Sequence, residues 1–183
     1  MPSPLGHALA GVAIAWSAEA IKRRQIDFTR GSTLAVAAAG LAVAADLDWL
    51  YPPAHRAMTH SLVAAVAAAA VIAIMKWRER SADTAVVALV CGLAYASHLL
   101  LDWLGGDTKI PAGIQLLWPF SDDWFISPVG VFRATDLGGF FKPWTMVSNA
   151  LAVLRELLVM VPVAVAAHAW RRRRLRRRTA WTV

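Results

Sequence analysis

Five apolar stretches, separated by polar segments, dominate the chain and predict α-helices. A helix that crosses a membrane needs about 20 mostly apolar residues, with a range of about 17 to 25. The second, fourth and fifth stretches meet this length comfortably, whereas the first and third would also suit buried helices of a soluble bundle. The stretches cover residues 5–21, 32–50, 61–77, 84–104 and 147–170. The predicted fold class is therefore all-α, a polytopic membrane bundle of about five helices.

Basic residues cluster after the first, third and fifth stretches. Five alternating crossings would place all of these clusters on one side of a membrane, and positive charge marks the cytoplasmic side. This predicts a multi-pass protein of a bacterial-type plasma (inner) membrane, with its N-terminus outside and its C-terminus in the cytoplasm. The clusters are Lys22, Arg23 and Arg24, then Lys76, Arg78 and Arg80, and finally Arg171–Arg174 with Arg176–Arg178.

Composition supports a membrane location and argues against nucleic-acid binding. Hydrophobic residues make up 58% of the chain and charged residues 17%, against about 25% charged residues in typical globular proteins. The net charge of +7 equals the seven arginines of the C-terminal run, so the rest of the chain is neutral. A basic run directly after an apolar helix is typical of contact with membrane lipids. We therefore expect lipid partners and no nucleic acid, with one membrane-embedded domain (residues 1–170) and a basic tail (171–183).

A long irregular loop is predicted at residues 105–146, before the last helix. It contains Trp118, Trp124 and Trp144, and tryptophans beside membrane spans commonly lie at headgroup depth. Two interpretations stay open: a plain interfacial loop, or a lid or substrate groove over a site below it.

Histidine and aspartate residues fall near the predicted outer ends of four helices. His98 and Asp102 are four residues apart and share one helix face, so Asp102 could bind a metal or orient His98. Asp46 and Asp48 can face one site only if their helix ends there, as the following Pro52-Pro53 indicates. Thr59 is predicted to cap the helix that His60 begins. The candidate metal ligands are His7, Asp46, Asp48, His55, His60, His98 and Asp102.

Each candidate also has an ordinary structural interpretation. A single histidine in a helix can be a hydrogen-bonded core residue, a helix-end aspartate can face water, and His55 and Arg56 can be simple loop residues. Together these interpretations weaken, because ionisable groups in membrane helices are costly and usually functional. Three or more such ligands favour zinc, or manganese, as the bound divalent ion. His168, at the opposite end, is predicted to be structural.

Several short motifs together resemble the YdjM-type family of membrane-bound metal-dependent hydrolases. They are Gly6-His7, Asp46-x-Asp48, His55-Arg56-x-x-Thr59-His60-Ser61, Ser97-His98-x-x-x-Asp102 and Trp118-Pro119-Phe120-Ser121. A more distant similarity is to the zinc-dependent phospholipase C and single-strand nuclease superfamily. The chain lacks that superfamily's second, downstream His-x-x-x-Glu pair, so one or two ions are expected instead of three.

The resemblance implies hydrolysis of a phosphoester or lipid-like substrate by a metal-activated water at the non-cytoplasmic face. Asp48 or Asp102 would accept the proton of the water or orient a histidine, and Arg56 would neutralise a phosphate oxygen. The alternative is a metal-binding membrane protein without catalysis, such as a carrier, a sensor or an assembly factor.

Overall fold

The computed structural model describes residues 1–29, 32–50, 56–106, 110–136 and 141–179. The chain is mostly helical, as predicted, and the described ranges contain five α-helices. Among the described residues, two short 3-10 helices, Ala45–Leu50 and Met58–His60, lie between the second and third of them. The α-helices are α1 (Pro4–Lys22), α2 (Leu34–Ala44), α3 (Leu62–Arg78), α4 (Thr84–Trp103) and α5 (Pro143–Thr179).

Contacts between distant parts of the chain fix the directions of the helices. At one end of the bundle, the backbone N–H of Ser3 donates to Glu156 Oε1 at 2.7 Å. At the other end, Arg171 pairs with Glu19, so α1 and α5 run in parallel. Arg24 after α1 pairs with Asp83 before α4, Nη1 to Oδ2 at 2.8 Å. The helices therefore alternate in direction, and the predicted basic clusters lie together at the end opposite His7 and Asp102.

Small residues allow the helices to approach closely. α1 packs against α2, α4 and α5, while α3 packs against α4. A Cβ atom added at Gly11 of α1 would lie 2.4 Å from the carbonyl oxygen of Ala38 in α2. Alanines fill much of the core between α1, α2 and α4, which is typical of tightly packed membrane helices.

Two helix boundaries differ from the sequence prediction. The second predicted helix begins at Leu34 and changes to 3-10 geometry at Ala45, because Ser32–Thr33 forms a strand instead. The fifth begins earlier, at Pro143, and continues through the arginine run to Thr179. Proline suits the first turn of a helix, and arginine is a strong helix former. The first residues of the predicted tail thus extend α5.

Two small strand pairs accompany the helices. Strands β1 (Asp27–Thr29) and β2 (Ser32–Thr33) are antiparallel, and β3 (Gly105–Gly106) and β4 (Phe132–Arg133) are parallel. The second pair ties the long loop to the end of α4.

The loop is also fastened to the bundle end by backbone hydrogen bonds. The N–H of Leu62 donates to Leu116 O at 3.0 Å, and that of Ser127 donates to Trp103 O at 2.8 Å. The loop therefore covers the end at which α3 begins and α4 finishes. Of its tryptophans, Trp144 is exposed, whereas Trp118 and Trp124 are half-buried.

In the part of the chain that the structure describes, two helices are long and apolar enough to cross a membrane. They are α4 and the Pro143–Arg177 part of α5. α4 is half buried within the bundle, and most of the apolar part of α5 is exposed.

Candidate metal centre

His60 is held at one ring nitrogen so that the other faces the bundle interior. Asp48 Oδ2 lies 3.0 Å from His60 Nδ1. The same oxygen accepts hydrogen bonds from Thr59 Oγ1 at 2.6 Å and the Arg56 backbone N–H at 2.9 Å. An acceptor at Nδ1 favours the proton on that nitrogen and makes Nε2 the potential metal ligand. Asp48 thus orients the His60 ring through Nδ1, the nitrogen that does not face the bundle interior.

His98 is oriented in the same way by a backbone carbonyl. Its Nδ1 lies 2.8 Å from Ala42 O, and because a carbonyl only accepts, Nδ1 donates. Ala42 is in the last turn of α2, where carbonyls have no partner within the α-helix. The change of geometry after Ala44 therefore leaves an acceptor for His98. Its Nε2 then faces His60 Nε2 at 3.1 Å.

Four residues bring one ligand atom each to a common point at the bundle end. They are Asp46, His60, His98 and Asp102, and their ligand atoms all lie within 4.8 Å of one another. Asp102 Oδ2 is 3.2 Å from His60 Nε2 and 3.1 Å from His98 Nε2. Asp46 Oδ1 is 3.8 and 3.6 Å from the same nitrogens. We call these four residues the HD cluster.

The HD cluster fits a divalent metal ion. A tetrahedral ion with bonds of about 2.0–2.2 Å separates its ligands by about 3.3–3.6 Å. The five separations that involve a histidine nitrogen, 3.1–3.8 Å, bracket this range. Two carboxylates and two neutral imidazoles carry two negative charges, which one divalent ion balances. Both Asp102 oxygens are buried without a hydrogen-bond partner among the described residues, an arrangement that a bound cation would relieve.

Solvent reaches the HD cluster from one side. His60 and His98 have fully buried side chains, and the Asp102 side chain is 1% exposed, whereas the Asp46 side chain is 25% exposed. The longest separations in the cluster also involve Asp46. Its side of the cluster is therefore the natural position for a water or substrate ligand.

The protonation of His60 depends on its three acidic neighbours. Burial lowers the pKa of His60, but interactions with Asp102, Asp46 and Asp48 outweigh burial and hold that pKa well above its ordinary value. Protons therefore compete with a metal ion for His60, so acid weakens metal binding.

His7 lies beside the HD cluster. Its ring stacks on His98 with centroids 3.9 Å apart, and its Nε2 is 3.5 Å from Asp102 Oδ1. The two oxygens of Asp102 thus face different histidines, with Oδ2 toward His60 and His98. His7 is fully buried, and neither ring nitrogen has a hydrogen-bond partner.

The structure gives the other predicted site residues different positions. Asp48 contacts the opposite nitrogen of His60 and is not a member of the HD cluster. Arg56 reaches the site through its backbone, while its Nε lies 3.2 Å from Met1 Sδ. His55, with Pro52 and Pro53, lies outside the described residues. His168 is at the other end of the bundle, with its ring against Trp16.

The predicted helix cap at Thr59 is wrong, because the hydroxyl of Thr59 bonds Asp48 instead. Ser61 caps α3: its Oγ accepts from Ala64 N at 3.2 Å and donates to Met58 O at 2.8 Å. The second bond also fixes the 3-10 turn that carries His60. A serine directly after Thr59-His60 was an available signal for this cap.

Tyr95 is a supporting residue that the sequence analysis did not identify. Its hydroxyl donates to Thr59 O at 2.8 Å and holds the segment before α3 against α4. Tyr95 precedes His98 by three residues, so the helical period places both on one face of α4. That spacing was the signal available in the sequence.

No curated protein and no solved structure matches this chain, so the similarity to the phospholipase C and nuclease superfamily stays a prediction. The profile of the YdjM inner membrane protein family matches residues 1–175. This match spans the HD cluster, His7, Asp48 and most of α5. The chain therefore belongs to the YdjM inner membrane protein family.

Proposed function

We propose that this protein is a multi-pass inner-membrane hydrolase that cleaves the phosphoester of a lipid-like substrate with a metal-activated water. The observation that carries the proposal is the HD cluster, a buried set of nitrogen and oxygen ligands that is open to solvent at Asp46. A catalytic metal site keeps one position for water or substrate, whereas a structural site is closed by protein ligands.

Exposed apolar side chains support the polytopic arrangement. α2, α3, α4 and α5 all carry them, for example Val36, Val66, Leu89 and Leu158, each more than 60% exposed. A soluble bundle would leave these surfaces in water, whereas membrane lipid covers them. α2 with the 3-10 helix after it is about 28 Å long, close to the roughly 30 Å core of a bilayer.

The positive end of the bundle supports a defined orientation. Positive charge favours the cytoplasmic side, so the basic clusters support a cytoplasmic position for the C-terminus and the end of α1. The HD cluster then lies at the non-cytoplasmic face, which is accessible to substrates in the outer leaflet or outside the membrane.

Asp46, His60, His98 and Asp102 would hold the metal, and their ligand types suit zinc, with manganese as the second choice. A bound divalent ion supplies a coordinated water with a pKa lowered toward neutrality. Asp48 and Ala42 O keep both Nε2 atoms directed at the centre. His7, whose Nε2 lies 3.5 Å from Asp102 Oδ1, would bind a second ion there.

The proposed reaction breaks one ester bond between phosphorus and oxygen. The water oxygen bonds to phosphorus as its proton passes to Asp46 or Asp102, and the same carboxyl group returns that proton to the alcohol oxygen as the phosphorus–oxygen bond breaks. Arg56, one turn from His60, would neutralise charge that develops on a phosphate oxygen, since its guanidinium suits phosphate geometry.

Turnover of a phosphoester panel tests this proposal. We expect metal-dependent hydrolysis by the wild type and a loss of at least about a hundredfold in His60→Ala and His98→Ala. His168→Ala is the matched control, because His168 lies at the opposite bundle end, and it should retain wild-type turnover. Metal-loaded wild type that cleaves no phosphoester, or unchanged turnover in both cluster variants, would contradict a hydrolase.

The alternative function is metal binding without catalysis, as in a carrier, sensor or assembly factor. One observation favours it: the HD cluster has four protein ligands, enough to close a tetrahedral site. Replacement of Asp46 separates the two functions. In a hydrolase, water can take the position of Asp46, so Asp46→Ala should retain the metal through His60, His98 and Asp102. A closed site that needs all four protein ligands should lose it.

A further inference from the structure

Three arginines line a cavity at the same bundle end as the HD cluster. The cavity has a volume of about 410 Å³, and its lining includes Arg56, Arg133 and Arg155. Asp136 is the one carboxylate among the described residues that line it, so positive charge is in excess. Several guanidinium groups around a small cavity are typical of a phosphate site, because each can donate two parallel hydrogen bonds.

Local structure explains why these arginines meet. β4 places Phe132 and Arg133 on opposite faces, since successive strand residues alternate. Phe132 is buried, whereas Arg133 is exposed to the cavity. Arg155 lies on α5 and donates to Gly130 O at 3.1 Å. Arg56 adopts a left-handed backbone conformation with φ of 65°, which non-glycine residues adopt uncommonly and often at functional sites.

A long apolar groove begins next to this arginine cavity. It lies between α1, α4 and α5, has a volume of about 1020 Å³, and follows α4 from Ala85 to Leu104. That distance is about 28 Å at the rise of an α-helix, comparable to the roughly 30 Å bilayer core. Phe132 lines both the groove and the arginine cavity, so the two spaces share one wall.

We propose that the two cavities together bind one anionic lipid, with its phosphate among the three arginines and an apolar chain in the groove. The inference deepens the proposed function and rests on it only for the claim that this lipid is the substrate. Charge complementarity favours an anionic lipid, because the arginines lie at one end of an apolar groove. This is the groove end nearest the HD cluster. The backbone of Arg56 bonds Asp48, and groove residues Ser97 and Leu101 directly precede His98 and Asp102.

Native mass spectrometry of the purified full-length protein tests the binding site. The probes are phosphatidic acid, diacylglycerol with the same chains, and inorganic phosphate. We expect phosphatidic acid to bind, and neither of the others to displace it at equal concentration. Arg133→Ala and Arg155→Ala should each weaken its binding about tenfold. Arg78→Ala, an exposed arginine at the opposite bundle end, should leave binding unchanged.

A second pair of variants tests the groove. Val163→Trp places a large side chain in it, whereas Val161→Trp changes a similarly exposed valine of α5 that does not line it. We expect only Val163→Trp to reduce lipid binding. Two results would overturn the inference. One is that diacylglycerol binds as well as phosphatidic acid, and the other is that Arg78→Ala loses as much phosphatidic acid binding as Arg133→Ala and Arg155→Ala.

The metal-free His98→Ala variant separates this inference from the proposed function. If it retains phosphatidic acid but no activity is found in any metal-loaded protein, the lipid site stands and the hydrolase proposal fails. If metal-dependent activity is found but phosphatidic acid does not bind, the lipid site is wrong and the hydrolase proposal stands.

Discussion

At the scale of single residues, the two histidines of the HD cluster are oriented before any metal binds. His60 is held through Nδ1 by Asp48, and His98 through Nδ1 by the carbonyl of Ala42. Each partner turns Nε2 toward the centre of the cluster, and both Nε2 atoms lie next to Asp102 Oδ2. Buried partners of this kind contribute to metal affinity without touching the metal.

This arrangement predicts different effects for the two aspartates of the Asp46-x-Asp48 pair. Asp48→Asn should weaken metal binding about 10- to 100-fold, because it removes the carboxylate that fixes His60. Asp46→Asn, which changes a residue of the HD cluster itself, should leave His60 oriented. Competition with a chelator measures both affinities. An unchanged affinity in Asp48→Asn would show that this carboxylate does not orient the ligand.

The sequence could predict some members of the site and not their roles. The four-residue spacing places His98 and Asp102 on one face of α4, and the structure brings both into the cluster. The roles of Asp46 and Asp48 depend on the change from α to 3-10 geometry at Ala45. That change follows from packing and from the hydrogen bonds of residues 56–60, which no local pattern in the sequence reveals.

At the scale of helices, the close approach of α1 to its neighbours positions His7. α1 lies against α2, α4 and α5, and Gly11 is in direct contact with the backbone of α2 at Ala38. His7 is one turn earlier on α1 and stacks on His98 of α4. The spacing of the helices therefore determines whether His7 reaches Asp102.

Two glycine substitutions test the packing of α1 on α2. Gly11→Ala would place a Cβ 2.4 Å from Ala38 O, whereas a Cβ at Gly40 meets nothing within 4 Å. We expect Gly11→Ala to lower the free energy of unfolding by about 1–3 kcal/mol, and Gly40→Ala to raise it by about 0.5–1 kcal/mol. Thermal unfolding followed by tryptophan fluorescence measures both. Equal effects of the two changes would argue against the close contact.

Helix existence was easier to predict than helix ends. Apolar runs identified all five helices because burial requires such runs wherever a helix packs. The start of α2 depends on pairing between β1 and β2, and the extension of α5 depends on the helix propensity of arginine, not on hydrophobicity. Neither feature changes the apolar pattern, so the pattern could not indicate it.

At the scale of the whole molecule, the basic clusters that follow α1, α3 and α5 lie at one end and the HD cluster lies at the other. Ion pairs such as Arg24–Asp83 and Arg171–Glu19 join the basic end, while the HD cluster and the arginine cavity are at the other end. The surface between them carries many exposed apolar side chains. A bilayer would cover that surface and separate the two ends.

Labelling of single cysteines tests this orientation. In a Cys91→Ala background, Ser121→Cys reports on the loop at the HD end, and Arg80→Cys reports on the basic end. A membrane-impermeant maleimide added to intact cells should label residue 121, and residue 80 only after permeabilisation. The reverse pattern would contradict the proposed orientation, and labelling of both from outside would contradict a bundle that spans the membrane.

The central claim is that the HD cluster binds a divalent metal, and elemental analysis of detergent-purified protein tests it most directly. Wild type should contain near-stoichiometric zinc or manganese, and folded His60→Ala and His98→Ala should each lose it. His168→Ala should retain it, since that histidine packs on Trp16 away from the cluster. Folded wild type that binds no metal after supplementation with divalent ions, or cluster variants that retain wild-type metal content, would contradict the account.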